Sequence, residues 1–504
     1  MIDTSAQNAL KNSIYNLIGF LVPVATFILI TPVIIKHLGV GEYGVYIFLN
    51  TIVTFLGLLD LGIGVATNKH IIEYISTKQE AKLKKLIYSM NTVYVVIGAV
   101  FLLACLGVGY FVESHAQNSQ TNYILLFLMI GVTSFLGSIF ANFNNILVAV
   151  QRYDLHLKLS TFFFLSSSFS MLILAVLGYK LDVILFAQLI ISTLSSLAYF
   201  FTSQKVFPVM KLKYAWDKTE IIKNYKYGLG IAFNNIASSS LVHFDKLIIP
   251  IFAGPAALSY YSVPGGITNK ISSISGTLSS LLFPITVNLH SLNNLEKIKR
   301  VYIRSIRLIT ILSASISLSV IFIADKILLY WLSEDFAQKA TIVLILLALT
   351  NFILAIFNPL SNLLMAMNKM KFLTSWSIAM AAVNLLALLL FLPKYGINGA
   401  AMAYLVGVSP IFFIFYLSEK RYFKENYFKN HLSLFFKLLA VAIPFFLIVR
   451  LLLCPFINSF LAIVLIAPIC VLIFLSLFKL FGFVENEDWN DFIMFKNKIL
   501  TKVK

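Results

Sequence analysis

Five ionisable side chains lie within otherwise apolar stretches of the sequence. Asp60 lies in the segment LLDLGIG, and His243, Asp245 and Lys246 lie together in HFDKLIIP, while Lys270 lies in a later apolar stretch. An ionisable group in hydrocarbon is costly, and such residues usually face an aqueous cavity or a partner of opposite charge. These residues are therefore the first candidates for binding chemistry.

Lys270 is expected to lie deepest of the five. Its helix is predicted to begin near Leu258, which places the ammonium group about 18 Å along the helix, close to the bilayer midplane. We expect it to face a cavity and bind the anionic part of a substrate; the alternative is a structural salt bridge to Asp245 or Asp60. The two carboxylates are suited to a coupling proton or Na⁺, although Asp245 alternatively neutralises a neighbouring lysine such as Lys246.

Asparagines cluster on the predicted spans four, seven and ten. Those taken as further cavity candidates are Asn145, Asn234, Asn235 and Asn362. A side-chain amide both donates and accepts, so it is suited to sugar hydroxyls. The same groups also join neighbouring helices to one another within a membrane. The sequence leaves both interpretations open.

The elements that hold these residues are predicted to be transmembrane helices. Hydrophobic residues make up 59% of the chain and charged residues 12%, with a mean hydropathy of +0.89. About fourteen apolar stretches are long enough to span a bilayer, since each span needs roughly 20 residues. The gaps between them are short, and the polar N-terminus is not expected to be a cleavable signal peptide. The sequence therefore predicts an all-α polytopic membrane protein.

The net charge of +18 has a pattern that indicates topology rather than nucleic-acid binding. Lys and Arg concentrate after even-numbered spans, in the segments 69–85, 205–226, 297–307 and 420–429. Cytoplasmic loops are enriched in these residues, so both termini are predicted to be cytoplasmic. The same basic loops are expected to contact anionic lipids.

The sequence repeats itself at an offset close to 216 residues. Three pairs of segments match in order: Gly39 with Gly254 (offset 215), 144–160 with 361–377 (offset 217) and 179–190 with 395–406 (offset 216). Internal repeats are typical of secondary transporters, and an even number of helices per unit makes the repeat parallel. Such halves favour an alternating-access mechanism around a central site.

The repeat predicts five segments along the chain. They are an N-lobe of spans one to six (1–203), a cytoplasmic linker (204–227), a C-lobe of spans seven to twelve (228–420), spans thirteen and fourteen (421–482) and a cytoplasmic amphipathic tail (483–504). The last pair of spans has no counterpart in the first half. The tail is equally consistent with a solvated, frayed end.

The sequence contains no recognisable catalytic or cofactor motif. It has no GxxxxGK[ST] phosphate loop, no His/Cys cluster at metal-ligand spacing, and only short loops on the outer side. No cofactor, no metal site and no catalytic residue are predicted. The chain is expected to be a transporter rather than an enzyme.

Four segments resemble a known family. They are IIKHLGVGEYGVYIFLNTIVTFLGLLDLGIGVATNKHI, DKLIIPIFAGPAALSYYSVP, LLMAMNKMKF and LPKYGINGAAMAYLVG. They are similar to polysaccharide-export flippases of the Wzx type, in the multidrug/oligosaccharidyl-lipid/polysaccharide exporter superfamily. The resemblance covers roughly residues 8 to 420 and fits the predicted number of spans.

The resemblance implies a two-lobed helix bundle that moves an undecaprenyl-pyrophosphate-linked oligosaccharide from the cytoplasmic to the periplasmic leaflet. The substrate class would be an O-antigen or capsule repeat unit, as in lipopolysaccharide synthesis. It also implies the bacterial inner membrane as location, and a glycan polymerase and a chain-length regulator as partners.

One departure bears on the substrate. No Arg or Lys lies deep in spans one to six, so the cavity is expected to be less cationic than in lipid II flippases. A strongly acidic substrate, or a pyrophosphate held by several cations, is therefore less expected.

Two other functions are alternatives to the flippase. One is a cation-coupled multidrug exporter of the same superfamily, and the other is a membrane polymerase, which the short outer loops make less expected.

Overall fold

The computed structural model describes residues 6–57, 60, 62–115, 122–150, 152–208, 211–425 and 427–483. Every regular element within these ranges is a helix. The predicted amphipathic tail falls outside the described residues, apart from Phe483. By compactness the chain divides into two units, Met1–Ser259 and Tyr260–Lys504.

The first unit holds eight helices and the first part of a ninth. They are α1 (Ala6–Leu38), α2 (Val40–Gly57), α3 (Ile63–Ser76), α4 (Glu80–His115), α5 (Tyr123–Ile139), α6 (Ala141–Ala149), α7 (Tyr153–Val176), α8 (Leu181–Val206) and α9 (Lys218–Ser280). The predicted lobes divide at the connection 204–227, whereas the compact units divide within α9. The predicted lobe boundary remains a prediction.

The second unit begins within α9 and continues through the remaining helices. They are α10 (Leu282–Ser291), α11 (Leu295–Phe322), α12 (Ala324–Trp331), α13 (Glu334–Ala366), α14 (Met370–Val408), α15 (Ile411–Ser418), α16 (Phe428–Leu447) and α17 (Phe460–Leu480). Short π-helical turns follow α15 and α16, at Glu419–Phe423 and Ile448–Leu453.

The helices have the length and composition of membrane spans. Ten stretches in the described part of the chain are long and apolar enough to cross a membrane, or eleven if the bent pair α5–α6 is one span. The short apolar α2 and the two long helices that break at Gly254 and Gly396 account for further spans. The architecture is that of an all-α polytopic membrane protein.

Helix boundaries repeat along the chain as the sequence matches predict. Helices α3 and α10 end 215 residues apart, as do the starts of α4 and α11, and α6 and α13 end 217 residues apart. Left-handed backbone recurs at the same offset, at Gly39 and Gly254 and again at Lys78 and Asn293. A shared pattern of helix ends is what a duplicated bundle produces.

Two glycines break the longest helices. Gly254 in α9 has φ 80° and ψ 166°, and Gly396 in α14 has φ 57° and ψ −140°. These angles are open to glycine and strained for other residues. Each glycine therefore lets one continuous helix turn into two spans.

The core of the first unit packs around α4, which contacts α3, α5 and α6. Its fully buried side chains include Ile63, Leu86, Phe127 and Phe143. After α8 the chain runs without helix along residues 211–217.

This connecting segment is fastened to α4 by side chains of that helix. Asn91 donates to the carbonyl of Lys213 at 3.0 Å, and Thr92 donates to the carbonyl of Ala215 at 2.8 Å. The N–H of Asp217 donates to Ser89 at 3.0 Å. The predicted linker thus contains a stretch that is held against the bundle of its own unit.

Candidate functional site

A break between α2 and α3 positions Asp60. The sequence predicts this residue within the second span, and the structure places it where that span breaks. Gly62 follows with φ 72°, and a Cβ there would lie 2.6 Å from the carbonyl oxygen of Gly228, so the site requires glycine. Oδ2 of Asp60 accepts from the N–H of Gly64 at 3.2 Å. This contact lies in the first turn of α3, where the helix dipole favours a negative charge.

Asp60 is connected to side chains of two other helices. The hydroxyl of Tyr94 in α4 interacts electrostatically with the Asp60 carboxylate, and Nδ2 of Asn145 in α6 donates to the Tyr94 hydroxyl at 3.4 Å. The second carboxylate oxygen, Oδ1, is buried and has no hydrogen-bond partner among the described residues. An unsatisfied buried acceptor is unfavourable. A proton, a cation or a ligand hydroxyl would satisfy it.

These groups line a cavity of about 350 Å³, which we call the polar pocket. Its polar lining residues are Asp60, Tyr94, Asn144, Asn145, Ser192, Ser195, Ser196 and Tyr199. Asp60 is the one charged residue among the described lining residues. The pocket is therefore rich in hydroxyl and amide groups, which can both donate and accept, and carries a single carboxylate.

Helix α8 contributes the part of the pocket that the sequence analysis missed. Ser192, Ser195, Ser196 and Tyr199 follow the spacing i, i+3, i+4 and i+7, so they share one face of the helix. The signal was present in the segment STLSSLAY. The sequence alone does not single out these serines, because a hydroxyl costs little in a membrane helix, where serine often bonds its own backbone.

The structure brings His243, Asp245 and Lys246 together in the first part of α9. Nζ of Lys246 lies 3.3 Å from Nδ1 of His243, and Asp245, which is 2% exposed, accepts from the N–H of Lys246 at 2.7 Å. Phe55 of α2 stacks on Phe244 beside this cluster, with ring centroids 5.5 Å apart. None of the three ionisable residues is among those that line the polar pocket.

Lys270 lies in the second unit, in the second part of α9. It is half-buried and makes no hydrogen bond or ion pair with the described residues of its own unit. The nearby contacts between α9 and α13 are uncharged: Asn351 donates to Thr268 at 3.2 Å, and Asn358 donates to the carbonyl of Ser272 at 3.1 Å. A partly exposed ammonium group without a carboxylate can accept an anionic ligand.

The remaining asparagines differ in what their amides do. Asn362 donates to the carbonyl of Asn358 in its own helix at 3.0 Å, and Asn142 donates to Asn91 at 2.8 Å. The contact of Asn142 joins α6 to α4, whereas the amide of Asn362 bonds within its own helix. Of the predicted candidates, Asn145 lines the polar pocket, and the side chains of Asn234 and Asn235 lie outside the described part of the structure.

The fold is shared with known membrane transporters. It is similar to the lipid II flippase MurJ in an inward closed conformation, with a TM-score of 0.71 and 16% identity, covering 93% of this chain and 98% of that chain. It is also similar to an inward-facing multidrug resistance MATE family transporter of the MOP superfamily, with a TM-score of 0.60, 12% identity, and coverage of 77% and 92%. The chain thus has the fold of multi-pass membrane transporters.

The family follows from the sequence match. The polysaccharide biosynthesis protein family matches residues 35–341, which is more than half of the chain, and the chain belongs to that family. It is 23% identical over 419 residues to a protein of Shigella flexneri described as a putative O-antigen transporter, covering 80% of this chain and 95% of that protein. The predicted relationship to polysaccharide biosynthesis proteins is confirmed by this match, and the predicted fold is confirmed by the likeness to MurJ and to the MATE transporter.

Proposed function

We propose that this protein moves a lipid-linked oligosaccharide across the bacterial cytoplasmic membrane, from the cytoplasmic to the periplasmic leaflet. The substrate would be an undecaprenyl-pyrophosphate-linked repeat unit of the O-antigen or capsule type, carried through an alternating-access cycle. The observation that carries the proposal is the polar pocket, whose hydroxyl and amide lining matches the groups of a glycan. The family and the Shigella flexneri relative support the same substrate class.

The lining of the polar pocket favours sugar over a cationic drug. A drug site is mainly apolar and aromatic, with few polar groups, whereas this pocket presents three serines, two asparagines and two tyrosines. Oligosaccharides present many hydroxyls, each of which needs a donor or acceptor when it leaves water. The first unit is therefore proposed to hold the sugar part of the substrate.

Three other parts of the proposal rest on single residues. Lys270 would attract the pyrophosphate as a point charge, because it has no carboxylate partner in its own unit. Asp60 would bind the coupling proton or Na⁺, because Oδ1 lacks a donor among the described residues. Asp245 and Lys246, held with His243, would form a second ionisable group that responds to substrate or ion.

Orientation, location and partners complete the proposal. The basic loops would face the cytoplasm, with both termini on that side and anionic lipids around them. A glycan polymerase and a chain-length regulator would take over the translocated repeat unit. No cofactor would be needed beyond an ion gradient or the membrane potential.

Deletion of the gene, followed by extraction of lipid-linked glycans, tests the proposal. The expected result is accumulation of polyprenyl-linked repeat units on the cytoplasmic side, loss of the surface polysaccharide, and recovery of both by the wild-type gene. Unchanged glycan pools together with increased sensitivity to cationic drugs would overturn it. That outcome would favour the alternative of a multidrug exporter, which is consistent with the similarity to the MATE fold.

A further inference from the structure

The polar pocket carries a single charge, and that charge is negative. Asp60 lies among its lining residues, and no Lys, Arg or His is found among the lining residues that the structure describes. The other polar side chains of the lining belong to serines, asparagines and tyrosines, which are uncharged. A ligand in this pocket therefore meets one carboxylate and a set of neutral donors and acceptors.

The carboxylate of Asp60 is stabilised by neutral groups rather than by a cation. The N–H of Gly64 donates to its Oδ2 at 3.2 Å at the start of α3, and the hydroxyl of Tyr94 interacts with the same carboxylate. Asp60 makes no ion pair with the described residues of its own unit. Its negative charge is therefore not cancelled by a positive side chain, and it acts on whatever enters the pocket.

Helix α8 presents hydroxyls that are able to bind a ligand. Thr193 donates to the carbonyl of Leu189 in its own helix at 2.8 Å, as a hydroxyl in a membrane helix commonly does. Ser192, Ser195 and Ser196 line the pocket instead and make no hydrogen bond with the described residues. Each of these hydroxyls can donate and accept. They can therefore replace the hydrogen bonds that a sugar hydroxyl loses when it leaves water.

A carboxylate on the sugar would be unfavourable in the same place. The cavity has a volume of about 350 Å³, which lies in the range of small-molecule pockets, so a sugar within it lies close to Asp60. Two negative charges at short distance repel strongly where water is scarce, and a buried charge is costly without a partner of opposite sign. Such repulsion is one way in which a binding site rejects a competing ligand.

We infer that the polar pocket selects an uncharged sugar of the lipid-linked oligosaccharide and rejects a sugar that carries a carboxylate, such as a uronic acid. This inference rests on the proposed function and narrows its substrate class. Asp60 supplies the rejection, and the serines of α8 with Asn144 and Asn145 supply the neutral hydrogen bonds. For the same reason the pyrophosphate of the carrier would lie outside this pocket, as the proposed role of Lys270 requires.

Two ligands that differ in one group of the sugar test the inference. One is a short-chain polyprenyl pyrophosphate that carries glucose, and the other is the same carrier with glucuronic acid. Equilibrium binding of each to the purified full-length protein is measured without Na⁺ and at about pH 8, well above the usual range of a carboxyl group. We expect the glucose ligand to bind at least about tenfold more tightly, because like charges repel in a poorly solvated site. Equal affinities, or tighter binding of the glucuronic acid ligand, would overturn the inference.

Removal of the charge at Asp60 should remove the preference. In Asp60→Asn the ratio of the two affinities should fall to about twofold or less, since the amide keeps the shape of the side chain and loses its charge. Glu80→Gln is the matched control, because it removes a carboxylate that is 72% exposed at the start of α4; its ratio should equal that of the wild type. Each variant is first shown to elute as the wild-type species in size-exclusion chromatography. An unchanged preference in Asp60→Asn would assign the discrimination to another group and refute the inference.

A second pair of variants adds a charge and serves if Asp60→Asn does not fold. Asn144→Lys places an ammonium group at an exposed lining residue and should shift the ratio at least about fivefold toward the glucuronic acid ligand. Ser76→Lys adds the same charge at the exposed end of α3, outside the pocket, and should not shift it. Equal ratios in the two variants would contradict the inference. Failure of the proposed function gives a different result: the wild-type protein would bind neither ligand, and the inference would fall with it.

Discussion

The side-chain amide of Asn145 donates to the hydroxyl of Tyr94 at 3.4 Å, and this contact joins α6 to α4 beside Asp60. Tyr94 also interacts electrostatically with the Asp60 carboxylate. Three helices therefore meet at one short chain of polar groups. This series of contacts includes Asp60, the one carboxylate among the described lining residues of the polar pocket.

Substitution of Asp60 should separate folding from transport. In Asp60→Asn the amide oxygen can still accept from the N–H of Gly64 at the start of α3. The amide, however, carries no negative charge and so cannot bind a proton or cation as the carboxylate would. We expect normal amounts of protein in the membrane and at least a tenfold loss of transport, measured as recovery of surface polysaccharide in the deletion strain. Glu80→Gln is the control, because that side chain is 72% exposed at the start of α4. Wild-type transport by Asp60→Asn would exclude a coupling role.

Filling the polar pocket from α8 should block the substrate without disturbing the helix. Ser195→Phe places an aromatic ring in the polar pocket. Leu194→Phe places the same ring at the neighbouring position, which does not line the pocket and where the native side chain is 53% exposed. We expect Ser195→Phe to lower transport severalfold while Leu194→Phe retains it. The comparison is made with lipid-linked glycan pools at matched protein levels. Equal activity of the two variants would show that the substrate does not enter this pocket.

The role of Lys270 depends on charge, so two substitutions are informative. Lys270→Gln removes the ammonium group and should reduce binding of a polyprenyl pyrophosphate about tenfold, and Lys270→Arg keeps the charge and should retain part of that binding. Lys371→Gln is the control for loss of one positive charge in the same unit. The measurement is binding of a polyprenyl pyrophosphate to the purified protein. Unchanged binding in Lys270→Gln would leave Lys270 with a structural role.

The helix break at Gly254 should tolerate no other residue, although space is available. A Cβ at this position meets no atom within 4 Å, but φ 80° and ψ 166° are open essentially to glycine alone. Gly254→Ala is expected to destabilise the protein by about 1–3 kcal/mol. Gly265→Ala, later in the same helix, would place its Cβ 3.7 Å from Leu347 in ordinary contact and should be nearly neutral. Thermal unfolding in detergent distinguishes the two, and equal melting temperatures would contradict the argument.

The contact between α3 and the start of α9 should weaken in acid. Tyr74 donates to Glu220 at 2.8 Å, and Lys223 lies 3.1 Å from the Tyr74 hydroxyl and 3.4 Å from Glu73. The hydrogen bond from His70, with the charge of Lys223, holds the pKa of Glu73 below its usual 4.5. A carboxyl group with a lowered pKa stabilises the fold above its unfolded value and loses this contribution as the pH falls through the folded value.

Hydrogen exchange in residues 218–224 measures this contact. Protection there should be constant above about pH 5 and should fall in more acidic solution. Glu73→Gln should reduce the loss of protection in acid. The loss that remains is expected to come from Asp217, whose pKa is lowered by the hydrogen bond from the N–H of Glu220. Lys82→Gln, an exposed charge on α4 without a contact to Glu73, should leave the profile as in the wild type. An unaltered profile in Glu73→Gln would assign the acid response to other groups.

The candidate site could be predicted from the sequence only in part. Asp60 and Asn145 were predicted as separate candidates, and the structure places both on the polar pocket. The serines of α8 were missed, because their functional meaning depends on the helix face that α8 turns toward α6. Asn362, a predicted candidate, bonds its own helix, which no property of its segment could distinguish from cavity lining.

The sequence by itself determined the membrane spans, the duplication and the class of protein. Hydropathy, basic loops and repeated segments are properties read along the chain, and the free energy of placing each stretch in lipid depends on its own residues. Only the tertiary structure decided that Asp60, Tyr94, Asn145 and the α8 serines enclose one pocket. Packing between helices determines which polar faces meet, and in lipid that packing depends on shape and interhelical hydrogen bonds rather than on hydrophobicity.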